Sequence, residues 1–246
     1  MGTRIFQYRF DMEQSGPVEI EVAIDSASLE RTGLAIDSPP KWTALETHQC
    51  PHCPLNREQY PHCPIAIGLV DIIRHFDHLV SYDQVDLTVS TEQRTVSQHT
   101  TAQHAISSLL GLVMATSGCP HTAYFKPMAR FHLPFASEES TIYRAAGMYL
   151  LAQFFLRKEG AAHDPGLSGL RKIYQNLHLV NLHIARRLQD ATRTDSSINA
   201  VVLLDSFTNT LPYVIEEHLD EIAYLFSAYH SDEYQQILAA LSPDIE

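Results

Sequence analysis

The chain has 246 residues, of which 45% are hydrophobic and 19% charged, with only 10 Gly and 13 Pro. That composition excludes intrinsic disorder, a collagen-like repeat and a coiled coil as descriptions of the whole, and it supplies enough apolar residues for a sizeable core. Seventeen basic against 29 acidic residues give a net charge of −12, and no basic block offsets it, which argues against a general nucleic-acid surface.

The first residues contain no apolar run before their charges, so no secretory signal is expected, and Phe6 excludes a myristoylation motif. Residues 3–10 alternate with period two, Ser15-Gly16-Pro17 suits a turn, and residues 18–24 alternate again. This predicts a hairpin with one buried and one wet face. A third short strand is expected over residues 29–36. Residues 42–63 are rich in Pro, His and Cys without a period, as in a loop held by something other than a hydrophobic core.

From Pro64 the pattern turns helical, with Ile65, Leu69, Ile72, Ile73, Phe76, Leu79 and Val80 on one stripe. Residues 82–90 return to alternation through Val85, Leu87 and Val89, with residues 94–97 as a pairing strand. A helix follows over residues 101–116, with Gly118 as its C-terminal cap. Its segment 105–115 is the most apolar of the chain and falls far short of the roughly 20 residues a membrane span needs. Beyond a Pro-containing segment, helices are expected at 139–158, 167–190, 196–210, 213–228 and 232–241. The breaks are Gly160, Asp164-Pro165-Gly166 and Pro212. In the second of these helices Leu170, Ile173, Leu177, Val180, Ile184 and Leu188 form a stripe that faces a bundle.

The expected fold class is therefore α+β. An antiparallel β-rich part with the loop and one helix (1–98) is followed by a mainly helical bundle (99–246), joined by a four-cysteine metal centre. The two parts can equally form one integrated domain.

That centre is read from Cys50, Cys53, Cys63 and Cys119, spaced C-x2-C-x9-C and then a fourth after 55 intervening residues, each followed by proline. The C-x2-C step lets two thiolates reach one ion, and the third is close enough to join them. Pro51-His52-Cys53-Pro54 is echoed by Pro61-His62-Cys63-Pro64, as if both pieces turn the same way. Proline suits the first helical position, which places Cys63 and Cys119 near N-caps, where free N–H groups favour a thiolate. In a reducing cytoplasm such cysteines are metal ligands or reactive thiols before they are disulfides. A single knuckle with proline after each cysteine resembles iron–sulfur ligation more than a zinc ribbon. Structural zinc remains the alternative, and a metal-free reactive thiol is the third reading. A ligating Cys119 would close a loop of about seventy residues and couple metal binding to folding.

Fourteen histidines are an excess. His48, His52, His62 and His121 lie within two residues of a cysteine and could line the site or replace a ligand. Asp71, His75 and His78 share a helix face, which is more simply a solvated face than a second metal site. His99/His104 and His178/His183 are five apart, a poor spacing for one ion. Cys119 beside His121 invites a nucleophile–base reading. Arg130-Phe-His-Leu-Pro-Phe135 puts a cation and an imidazole in a Pro-bounded connector. No P-loop, dinucleotide fingerprint, HExxH or GxSxG motif is present.

The motifs Cys50-Pro-His-Cys53-Pro-Leu55, Ser117-Gly-Cys119-Pro120, Arg130-Phe-His-Leu-Pro-Phe135 and the run from Tyr143 to Phe155 together resemble an uncharacterised bacterial family, a domain of unknown function. The likeness spans about residues 43–226. It implies a bacterial cytoplasmic protein and brings no activity, substrate or ligand. The residues themselves point to a metal-binding protein with an iron–sulfur centre for electron transfer or redox sensing, with a zinc-stapled interaction protein as the alternative. Its partner would be another protein, and exposed helical stripes offer a route to a homodimer.

Overall fold

A computed structural model describes residues 2–12, 16–34 and 36–240. Strands β1 (Thr3–Met12), β2 (Val18–Asp25), β3 (Gln84–Ser90) and β4 (Thr95–Thr101) form one antiparallel sheet in the order β2-β1-β3-β4. The register sets Phe6 opposite Val22 and Phe10 opposite Leu87. Because strand side chains alternate, Phe6, Tyr8 and Phe10 share one dry face with Ile20, Val22, Val85 and Leu87. The polar edge strand β4 instead pairs hydroxyls with β3, Thr88 with Ser97 at 2.9 Å and Ser90 with Thr95 at 3.0 Å.

Helices α1 (Pro64–Phe76) and α2 (Ala102–Ala115) cover that dry face. In α1 the stripe Ile65, Leu69, Ile72, Ile73 and Phe76 is buried, and Phe76 meets Phe10 with ring centroids 4.6 Å apart. The two helices pass closely at Gly68, where an added Cβ would lie 3.1 Å from Val113. The short α3 (Lys126–Arg130) leads to α4 (Glu138–Lys158), α5 (Ser168–Ala191), α6 (Ser196–Glu221) and α7 (Asp232–Ala240). Helix α6 packs on both α5 and α2, so the core runs without a break from the sheet to Leu170, Val180 and Ile215.

The α+β class, the paired strands and the helical second half follow the sequence pattern. A division at residue 98 falls inside β4, and the core is continuous across it. Four local differences from that pattern stand out. Residues 29–36 form no strand among the described residues. Arg31 makes a single bridge with Ile24, and its guanidinium turns inward to the Gly68 carbonyl at 2.8 Å. Pro212 does not end a helix, because α6 continues through it to Glu221. An interior proline forfeits a backbone bond at a penalty of about 3 kcal/mol, and the burial of Ala200, Val201 and Ile215 on the same helix acts against it. The chain is then 3-10 rather than α over Ala223–His230. Helix α2 is capped by Thr116, and Gly118, at φ 85°, turns the chain two residues later. The expected turn at Ser15 and residue 35 of the third strand lie outside the described residues. No described helix is long and apolar enough to cross a membrane.

Candidate metal centre

The loop between β2 and α1 has few apolar residues of its own, and polar contacts hold it. A 3-10 turn at Lys41–Thr43 opens it. Ala44 bridges His62, the Leu45 N–H donates to Pro61 O at 2.9 Å, and the Cys63 N–H donates to Thr43 O at 2.8 Å. The Thr43 hydroxyl lies 2.8 Å from His62 Nδ1. These bonds fold residues 41–63 back on themselves, so that Cys50 and Cys53 return towards Cys63. The Cys53 N–H closes the knuckle on Cys50 O at 3.0 Å.

Helix α5 is the platform beneath the loop. Arg187, only 2% exposed, donates to Trp42 O at 2.8 Å, Ala44 O at 2.7 Å and Leu45 O at 2.8 Å. No carboxylate among the described residues pairs with it. Its charge acts instead on the thiols of Cys50 and Cys63, where it favours ionisation. One turn along, His183 Nδ1 meets His48 O at 3.0 Å, and His48 Nε2 meets Asp190 at 2.7 Å.

Cys63 is the N-cap of α1 with Pro64 behind it, as the sequence predicts. Its sulfur faces the N–H groups of Ile65 and Ala66, which favour the thiolate, although no formal cap hydrogen bond closes. Cys119 follows the Gly118 turn, and its sulfur faces the N–H groups of His121 and Thr122. Its carbonyl accepts from Thr122 and Ala123 at 3.1 Å and starts the 3-10 turn Ala123–Phe125.

The four thiols, all unpaired, lie near enough to act on one another electrostatically. Burial first, then the neighbouring cysteines, push the Cys50 thiol up to about 12. Burial likewise raises Cys63 and pushes Cys119 up to about 11, against the pull of the N–H groups. Among the described residues, no three His, Cys, Asp or Glu side chains stand as a ready metal site. The structure thus gathers the four thiols without showing an assembled centre joining the two halves.

The donor set nevertheless suits a thiophilic metal. Besides the four sulfurs, the His52 and His121 rings lie 4.0 Å apart beside the cluster. His52 Nε2 donates to Asn176 O on α5 at 3.2 Å, and His121 Nε2 donates to His52 O at 2.9 Å. These bonds fix the tautomers and leave the ring lone pairs on Nδ1. His52 Nδ1 is buried without a hydrogen-bond partner among the described residues, the arrangement of a histidine oriented for a metal by a carbonyl on its far side.

The Cys119–His121 nucleophile pair is absent. His121 Nε2 donates to His52 O, no side-chain hydrogen bond joins the imidazole to Cys119 among the described residues, and burial holds the thiol in its poorly nucleophilic neutral form. His75 and His78 are exposed, and Asp71 pairs with Arg74 at 3.4 Å, so that face is solvated. His99 and His178 pair instead with Asp86 and Asp205, each at 2.8 Å. Sequence reasoning missed Arg187. Its signal was a cation three residues after Ile184 and seven after Val180, on the apolar stripe itself.

Residues 6–227 match the family model of a domain of unknown function, DUF6901. No curated protein and no solved structure matches the chain.

Proposed function

We propose that this chain, which belongs to the DUF6901 family and inherits no activity from it, is a metal-binding redox protein of the cytoplasm. Cys50, Cys53, Cys63 and Cys119 ligate an iron–sulfur cluster, whose chemistry is one-electron exchange with a protein partner or in response to the redox state. The observation that supports this reading is that the four free thiols lie within electrostatic reach of one another, with the buried Arg187 charge acting on Cys50 and Cys63. The N–H groups at Cys63 and Cys119 and the Arg187 charge all favour the net negative charge of a thiolate-bound centre. Cys50, Cys53 and Cys63 are only half-buried, which leaves a side open for electron exchange.

A zinc staple in a non-catalytic interaction protein is the second reading. It is favoured by the unpartnered His52 Nδ1, a suitable fourth donor to three thiolates. The two differ in the metal retained by protein isolated without oxygen and without a histidine tag. Stoichiometric iron with acid-labile sulfide is expected. Zinc without iron would replace the cluster by the staple, and neither metal would overturn both.

A further inference from the structure

We propose that a half-open cavity lined by α2, α5, α6, the start of α4 and the connector around α3 binds a small amphipathic monocarboxylate, with its carboxylate on Arg144 and its carbon body against the apolar walls. The cavity holds about 730 Å³, within the range of small-molecule sites. Leu112, Phe125, Leu133, Leu177 and Leu204 supply most of its apolar wall. A site for a small ligand needs a few polar groups to fix orientation, and three are present.

The first is Arg144. Its Nη2 donates to Met128 O at 3.2 Å and Phe131 O at 2.8 Å, while Nη1 and Nε have no hydrogen-bond partner among the described residues. Burial and the neighbouring Arg94 both act against its charge, and no described carboxylate pairs with it, Glu138 on the same wall included. In a chain with 29 acidic and 17 basic residues, a half-buried arginine facing a second arginine rather than an acid is poised for an external anion. The second is Asn181, 1% exposed, whose Nδ2 donates to Thr208 at 3.1 Å and whose Oδ1 is buried without a partner among the described residues. The third is Ser108, whose hydroxyl is buried on the same wall next to the Tyr8 hydroxyl. An unpaired acceptor on one wall asks for a ligand hydroxyl or N–H. The class that satisfies both ends is an aliphatic or aromatic carboxylate carrying a hydroxyl.

No cysteine lines this cavity, so the test is independent of any metal. Isothermal calorimetry on the full chain would use 8-hydroxyoctanoate, octanoate and octan-1-ol as probes. The hydroxy acid is expected to bind one to one, and octan-1-ol at least about tenfold more weakly, for want of the charge-assisted bond. Arg144→Gln should weaken the hydroxy acid by about tenfold or more and leave octan-1-ol unchanged. Arg144 also supports the α3 connector, so Ser107→Leu provides a second variant. Ser107 lines the cavity and makes no hydrogen bond through its side chain among the described residues, and the added bulk should abolish binding of all three probes. No binding of the hydroxy acid, equal affinity for acid and alcohol, or undiminished binding to Ser107→Leu would each overturn the proposal.

Discussion

His132 illustrates what one side chain does in this fold. Its Nε2 lies 2.6 Å from the Tyr8 hydroxyl, and burial, reinforced by Arg144 and Arg94, lowers its pKa from the usual 6.5 to about 3. The unfolded chain therefore takes up a proton below pH 6.5 that the folded chain refuses until about pH 3. Stability must fall as the pH drops through that window. Discounted for its partial exposure, the loss between pH 7 and pH 5 is about 1 kcal/mol. Urea denaturation at the two pH values should show that loss in the native chain and a smaller one in His132→Asn. An identical pH dependence in both would refute the assignment. The sequence marked His132 only as part of a Pro-bounded connector, because nothing local reveals that Tyr8, 124 residues away, closes over it.

Among the elements, α5 matters most to the cysteine loop, and it was only half legible. Its apolar stripe predicted a helix over 167–190, and Ser168–Ala191 is observed. Arg187 on that stripe went unread, because its partners are loop carbonyls that no periodicity can place. Removing it would leave three carbonyls and the thiols without their cation. Arg187→Met is expected to lose about 3 kcal/mol and to lower the metal content of the isolated protein. Equilibrium unfolding alongside metal analysis checks both, and a variant with native stability would remove α5 from the account. Helix α1 was the opposite case. Proline after Cys63 and a regular stripe set its start and its buried face. The helix α6 escaped because Pro212 is a local signal and its burial against α2 and α5 is not.

For the whole molecule, the sheet and helices share one core, and the four cysteines lie on the loop before α1, which rests on α5, and on the turn after α2. The class and the four cysteines could be read from composition and spacing. The surroundings that give them chemistry could not, since they come from residues more than a hundred positions away. Helix α4 leaves Tyr143, Leu150, Leu151, Phe154 and Phe155 exposed, the stripe on which the expected self-association would run. Cys119 is 8% exposed and is the member of the set most distant in sequence. If it ligates with the other three, the centre closes a loop of about seventy residues, and a cross-link of that span contributes about 4 kcal/mol. The most direct measurement is metal content and melting temperature of Cys119→Ser beside the native chain, both isolated without oxygen. The account predicts that the variant loses most of its bound metal and melts well below the native protein. Native metal content together with an unchanged melting temperature would contradict a shared four-cysteine centre.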